Sequence, residues 1–233
     1  IILPLLLIAF ALIFNASNPM QPSKNKEDLH PELRLYMDDL APTLSEIDDE
    51  RKTELRAIAE WIEGRIEKNE PARLTFICTH NSRRSHLGMI WAAAAASYYG
   101  IEGIETYSGG TEATAFNPRA VEAIKRAGFW VDAEDNTANN PRYSVSFSQK
   151  GDFLTCFSKK FDDEVNPTEG FCAVMVCSSA DRNCPFVPGA DFRVAIPYED
   201  PKASDGTPQE SATYDARSRQ IASEMMYLFS LLK

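Results

Sequence analysis

Residues 72–100 read ARLTFICTHNSRRSHLGMIWAAAAASYYG, and the rest of the chain can be arranged around them. Leu74-Thr75-Phe76-Ile77 is a run of β-formers and predicts a short buried strand. Residues 86–99 are rich in Ala, Leu, Met and Trp and predict a helix, with Gly100 placed to close it. Between the two lies a small, polar, basic loop, Cys78-Thr79-His80-Asn81-Ser82-Arg83-Arg84-Ser85. A strand feeding a tight loop that opens a helix makes an anion site. Amide N–H groups point into the loop, and the helix dipole adds partial positive charge.

In that setting Cys78 is the candidate nucleophile, because a sulfur over a helix N-terminus and beside arginine is favoured as the reactive thiolate. Arg84, six residues on, can fork onto two oxygens of a tetrahedral oxyanion, and Ser85 can donate its hydroxyl to the sulfur. Thr79, His80, Asn81, Ser82, Arg83, Arg84 and Ser85 form the candidate oxyanion-binding set, suited to phosphate or arsenate. The spacing Cys-x5-Arg is weak by itself, and a cysteine ending a strand is more often a small buried hydrophobe. The strand–loop–helix context is what gives the spacing weight.

The whole chain sets bounds on this reading. Its 233 residues suffice for one good-sized domain with additions. A net charge of −10 argues against non-specific nucleic-acid binding, so no nucleic-acid partner is expected, and it makes the basic loop a local exception. Five cysteines, an odd number in a chain this size, do not suggest a disulfide scaffold. Three histidines are too few and too poorly spaced for a metal site, and no cofactor is expected.

Taken in order, residues 1–19 form a signal-like or anchor segment. The apolar run at 1–14 is short for a membrane span and fits a signal-peptide core. On that reading the protein is exported or membrane-anchored; if Met20 is the true start, it is cytoplasmic. Residues 20–44, with Pro22, Pro31 and Pro42, are expected to be a linker. Residues 45–72 are expected to be an N-terminal helical extension, with Leu55, Ile58, Ala59, Ile62 and Ile66 on one stripe. The domain proper runs over 73–233 with an insertion at 136–171.

Within the domain, a second strand is expected at 104–108, ended by Gly109-Gly110. Asn117 as N-cap, Pro118 at the first helical position and Gly128 past the end delimit a helix. In the insertion, Tyr143, Val145 and Phe147, then Phe153, Thr155 and Phe157, alternate with polar residues. They predict a β-hairpin at a sheet edge or over the site, with Cys156 structural. Residues 173–177 predict a buried strand and 194–196 a shorter one, with a loop or short frayed helix at 178–185. A final helix carries Tyr214, Ile221, Met225, Leu228 and Leu232. Strands alternating with helices predict a three-layer α/β/α fold around a central, mainly parallel four-stranded sheet. Cys78, Cys177 and Asp200 fall at or just past the C-terminal strand edges, where such sheets hold their sites.

Five pieces in this order resemble the low-molecular-weight protein tyrosine phosphatase superfamily, and within it the thioredoxin-coupled arsenate reductases. They are Cys-Thr-His-Asn-Ser-Arg-Arg-Ser at 78–85, Ser-Gly-Gly-Thr-Glu at 108–112, Asn-Pro-Arg-Ala-Val-Glu-Ala at 117–123, Cys177 and Cys184 followed by Pro185, and Glu-Asp-Pro at 199–201. The resemblance implies Cys78 as nucleophile, Arg84 and the loop amides as the oxyanion cradle, and Asp200 as general acid. It also implies Cys177 and Cys184 as resolving cysteines, with a thioredoxin-like dithiol as reductant. The loop departs from the reductases in carrying His80 where they usually have Gly. Three functions stay open: arsenate reduction, hydrolysis of phosphotyrosine or small aryl phosphate esters through Cys78, and a non-enzymatic oxyanion or redox sensor.

Overall fold

The computed structural model describes residues 26–184 and 186–233; the signal-like segment expected at 1–19 lies outside the described residues. The elements in order are α1 (Pro31–Leu40), α2 (Asp49–Ile66), β1 (Ala72–Cys78), α3 (Arg84–Tyr99), β2 (Ile104–Gly110), α4 (Pro118–Arg126) and β3 (Trp130–Ala133). There follow β4 (Tyr143–Ser146), β5 (Phe153–Cys156), β6 (Phe171–Met175), α5 (Ser178–Asn183), β7 (Ala190–Ala195) and α6 (Glu210–Ser230). Among the described residues, no helix is long and apolar enough to cross a membrane.

Four strands pair in parallel in the order β2-β1-β6-β7. The central pair explains the layering. Every residue of β6 is buried, and β1 is buried apart from Arg73. Strands with both faces buried need helices on both sides, which is why they carry unbroken apolar runs rather than alternation. This is the expected three-layer α/β/α sheet. The helices end as their caps dictate. Gly100 closes α3 in the left-handed region (φ 70°), and Asn117 caps α4 by accepting from Arg119 N–H. Because the sheet is parallel, Cys78 at the end of β1 and Cys177 just past β6 come out on the same edge.

Two expectations need correction. Residues 20–44 are not simply a linker, since α1 occupies 31–40 and buries Leu33, Met37 and Leu40 completely. Their spacing of four and three residues is that of one helical face. Pro31 sits at the first helical position, where proline starts a helix rather than preventing one. The fit is close: a Cβ at Gly128 would lie 2.4 Å from Leu33 N, and Gly128 itself has φ 101°. The hairpin of β4 and β5 also forms as expected, but not on the edge of the central sheet. It makes a separate antiparallel sheet in the order β3-β4-β5, pairing Trp130 with Ser146 and Tyr143 with Cys156.

Candidate active site

The loop after Cys78 is held from two sides by backbone. Cys78 is in register with Gly110. Thr111 N–H donates to Cys78 O (3.1 Å), Glu112 N–H to Thr79 O (2.8 Å), and Asn117 N–H to Ser82 O (2.8 Å). A Cβ at Gly110 would fall 2.3 Å from Glu112 O and 2.7 Å from Asn81 N, so only glycine lets the two backbones meet. The motifs at 108–112 and 117–123 therefore act as braces for the cysteine loop.

Inside the loop, Asn81 takes the left-handed backbone (φ 43°), which asparagine tolerates better than most residues. Among the described non-glycine residues only Asn69 shares this feature, so the His80 position makes no demand for glycine. Asn81 is fully buried. Its Nδ2 donates to Ser85 Oγ (2.9 Å), and its Oδ1 accepts from Lys159 N–H (2.9 Å). Ser85 Oγ lies 3.1 Å from Cys78 Sγ. With its lone pair taken by Asn81, the hydroxyl has its proton free to point at the sulfur.

The basic residues divide. Arg84 opens α3 and reaches across to the next edge loop, donating from Nη2 to Asp200 Oδ2 (2.7 Å) and from Nη1 to Tyr198 O (3.0 Å). Asp200 also accepts from Lys202 N–H (3.1 Å), capping the turn at Pro201–Ser204. Arg83 turns away from the loop: its Nε donates to Tyr214 Oη (2.8 Å), and its guanidinium lies 3.6 Å from Asp205 and 3.8 Å from Asp200. Tyr214 in turn donates to Asp205 Oδ1 (2.8 Å), and burial together with that carboxylate pushes its phenol up to about 12. Arg83 is thus a brace for the acidic side of the site. His80 is half exposed, 3.7 Å from Glu112. Tyr214 was readable in the sequence only as core, and Tyr198, Asp205 and Lys159 gave no local signal.

All five cysteines are unpaired. Cys177 caps the start of α5, its sulfur accepting from Ala180 N–H (3.3 Å), and Thr79 Oγ1 lies 3.5 Å from the same sulfur. Cys184 follows the last turn of α5 and is partly exposed. Arg193 holds this short helix, donating to Asp181 O (2.9 Å), Asp181 Oδ1 (2.6 Å) and Cys184 O (3.1 Å). Cys156 and Cys172 are fully buried elsewhere; burial pushes the Cys156 thiol up to about 12 and that of Cys172 higher still. Among the described residues, no three His, Cys, Asp or Glu side chains group as a metal site.

Residues 73–142 match the family model of low molecular weight phosphotyrosine protein phosphatase. Arsenate reductase 2 of Staphylococcus epidermidis is 31% identical over 126 residues, which is 54% of this chain and 76% of the relative. The arsenate reductase of Bacillus subtilis is 30% identical over 144 residues, 62% of this chain and 84% of the relative. The crystal structure of a low-molecular-weight protein tyrosine phosphatase from T. tengcongensis aligns with 69% of this chain and 99% of its own, at 20% identity and a TM-score of 0.46. With so much of two relatives spanned at this identity, the chain belongs to the low-molecular-weight phosphotyrosine phosphatase superfamily, in company with its arsenate reductases.

Proposed function

We propose that the protein is an arsenate reductase in which Cys78 attacks the oxyanion and Cys177 and Cys184 carry the resulting oxidation to an external dithiol. The observation that carries the reading is the 3.5 Å contact between Thr79 Oγ1 and Cys177 Sγ. It brings a second thiol against the residue that follows the nucleophile, a feature that phosphate-ester hydrolysis has no use for.

In the proposed sequence, arsenate enters the loop and exchanges places with Asp200 on Arg84, whose two Nη atoms then fork onto the oxyanion. The Cys78 sulfur, steadied by the Ser85 hydroxyl, bonds to arsenic. Asp200, released from Arg84, takes a proton from the incoming acid arsenate and passes it to the departing oxygen, which leaves as water. Cys177 then attacks Cys78 Sγ. The electron pair of the sulfur–arsenic bond passes to arsenic, arsenite leaves, and a Cys78–Cys177 disulfide remains. Cys184 attacks that bond at Cys177, freeing Cys78 and forming Cys177–Cys184.

The last exchange needs α5 to unwind. Seven helical steps would hold the two Cα atoms about 10 Å apart, whereas a disulfide requires roughly 4.4–6.8 Å. A six-residue helix containing Ser178, Ser179 and Asn183 resists unwinding only weakly. Cys184 is the more exposed of the pair, which suits attack by a thioredoxin-like dithiol.

Cys78, Ser85, Arg84 and Asp200 would equally serve hydrolysis of an aryl phosphate through a cysteinyl phosphate, and this second reading rests on those four groups. One assay separates the two. Arsenate turnover with a dithiol and p-nitrophenyl phosphate hydrolysis are measured side by side on the wild type and Cys184→Ser. Loss of arsenate turnover with phosphatase activity retained is the expected result. Unchanged arsenate turnover in the variant overturns the proposal.

A further inference from the structure

A cavity of about 390 Å³ lies under the hairpin, between β5, the β2 edge and α3. Its size is within the ~300–1,000 Å³ usual for small-molecule sites. Cys78, Arg84 and Asp200 are not among its lining residues. One wall is apolar, with Met89, Ala93, Phe147 and Leu154.

Against this wall stand two cations. Lys159 is only 5% exposed, and its ammonium sits 4.6 Å from the Phe157 ring centroid, with the Arg142 guanidinium 3.9 Å from the same ring. Neither forms an ion pair with a carboxylate among the described residues. Asp163 contributes only a longer-range pull on Lys159, whose pKa burial lowers. Glu105 also lines the cavity but is committed to Arg73 (2.9 Å) and to the Tyr107 hydroxyl (2.9 Å). A buried ammonium with no carboxylate partner, beside an apolar wall and the guanidinium of the exposed Arg142, calls for an anion.

Asn166 forms part of the cavity wall. Asn166 is 5% exposed, and its Nδ2 donates to the carbonyls of Ser108, Lys160 and Phe161. Its Oδ1 has no donor among the described residues, and Thr106 Oγ1 on the β2 edge is likewise unpartnered. Both atoms are closed off from the cavity, so neither meets a ligand there.

We propose that this cavity is a binding site for a small amphipathic anion: a carboxylate on an aromatic or aliphatic body. The carboxylate lies on Lys159 and Arg142, and the body lies along the apolar wall. The site stands on its own residues and does not depend on the reductase reading. It does touch the same framework, because the residue that sends its ammonium into the cavity gives its backbone N–H to Asn81 of the cysteine loop.

Calorimetric titration of the full chain with 4-hydroxyphenylacetate tests this, with excess phosphate present to occupy the cysteine loop. The expected result is saturable binding with a Kd of about 1 mM or tighter. p-Cresol, which lacks the carboxylate, should bind at least about tenfold more weakly, and Lys159→Met should cost a similar factor. Ala93→Leu fills the cavity without touching the cations and should also abolish binding, so the test survives if the lysine variant does not fold. No saturable binding overturns the proposal, as does displacement of the ligand by phosphate. So do equal affinity for p-cresol and binding that persists in a folded variant.

Discussion

Cys172 and Cys177 lie five residues apart on the same stretch of chain, and both are buried. Their surroundings differ in kind. Cys172 is inside β6, in register with Leu74 on one side and Phe192 on the other, and burial drives its thiol pKa up. Cys177 is past the strand end, where it accepts a helix N–H and meets the Thr79 hydroxyl. Burial alone therefore does not sort the thiols of this protein. What sorts them is whether the chain has left the sheet, because only beyond the strand end are N–H groups and hydroxyls free to face a sulfur.

Removing one sulfur from each class separates the edge thiols from the interior ones. Cys78→Ser is expected to lower arsenate and aryl phosphate turnover by about 10³-fold or more, since the proposed nucleophile is lost. Cys172→Ser should leave both rates within about twofold while costing roughly 1–3 kcal/mol of stability for a buried hydroxyl. Steady-state rates and denaturant melts on the two variants decide it. A large rate loss in Cys172→Ser would erase the distinction.

The next effect concerns the partner of Arg84. Asp200→Asn keeps the shape of the edge loop but removes the transferable proton, so about a 10²-fold fall in p-nitrophenyl phosphate hydrolysis is expected. An unchanged rate would remove Asp200 from the chemistry.

The same contrast between edge and interior holds for two histidines six residues apart. His80 is half exposed on the loop, whereas His86 is fully buried, stacked on Phe116 at 4.1 Å, and donates from Nε2 to Phe157 O (3.2 Å). Burial, with Lys159 adding to it, lowers the His86 pKa to about 3 from 6.5. The unfolded chain thus binds a proton that the folded one refuses. The stabilisation is complete above pH ~6.5 and is lost as pH falls toward 3 at about 1.4 kcal/mol per unit. Denaturant melts should lose about 2 kcal/mol from this group between pH 7 and pH 5. His86→Phe should flatten that slope; an unaltered slope would contradict the assignment.

The smallest effect expected is at α5. Arg193→Met removes three donated hydrogen bonds from the helix and from Cys184 O, so the helix should open more readily. Formation of the Cys177–Cys184 disulfide after a single turnover should speed up by a few fold, on the scale of about 1 kcal/mol of lost helix stability. A slower step would show that Arg193 aligns the thiols rather than holding them apart.

Much of this was readable from local sequence. The strand–loop–helix at 72–100 and the capping of α4 by Asn117, Pro118 and Gly128 are signals written within a few residues, and they appear where expected. The edge positions of Cys78, Cys177 and Asp200 followed from strand order alone. What escaped depends on distant packing. The helix α1 hid among prolines because its apolar face has meaning only against the core that receives Leu33, Met37 and Leu40. The four residues of β3 become a strand only through pairing with β4. Tyr214 and Arg83 share a hydrogen bond across 131 positions, and Lys159 reaches Asn81 across 78, distances at which periodicity carries no information.

The proposed passage of oxidation from sulfur to sulfur at one edge of the sheet is tested most directly by mapping the disulfide in Cys184→Ser. The variant is treated with stoichiometric arsenate, quenched with an alkylating agent, digested and read by mass spectrometry. A Cys78–Cys177 disulfide with one arsenite released per chain is the predicted result. Cys78 and Cys177 both recovered as alkylated thiols, or a bond made instead to Cys172 or Cys156, would contradict it.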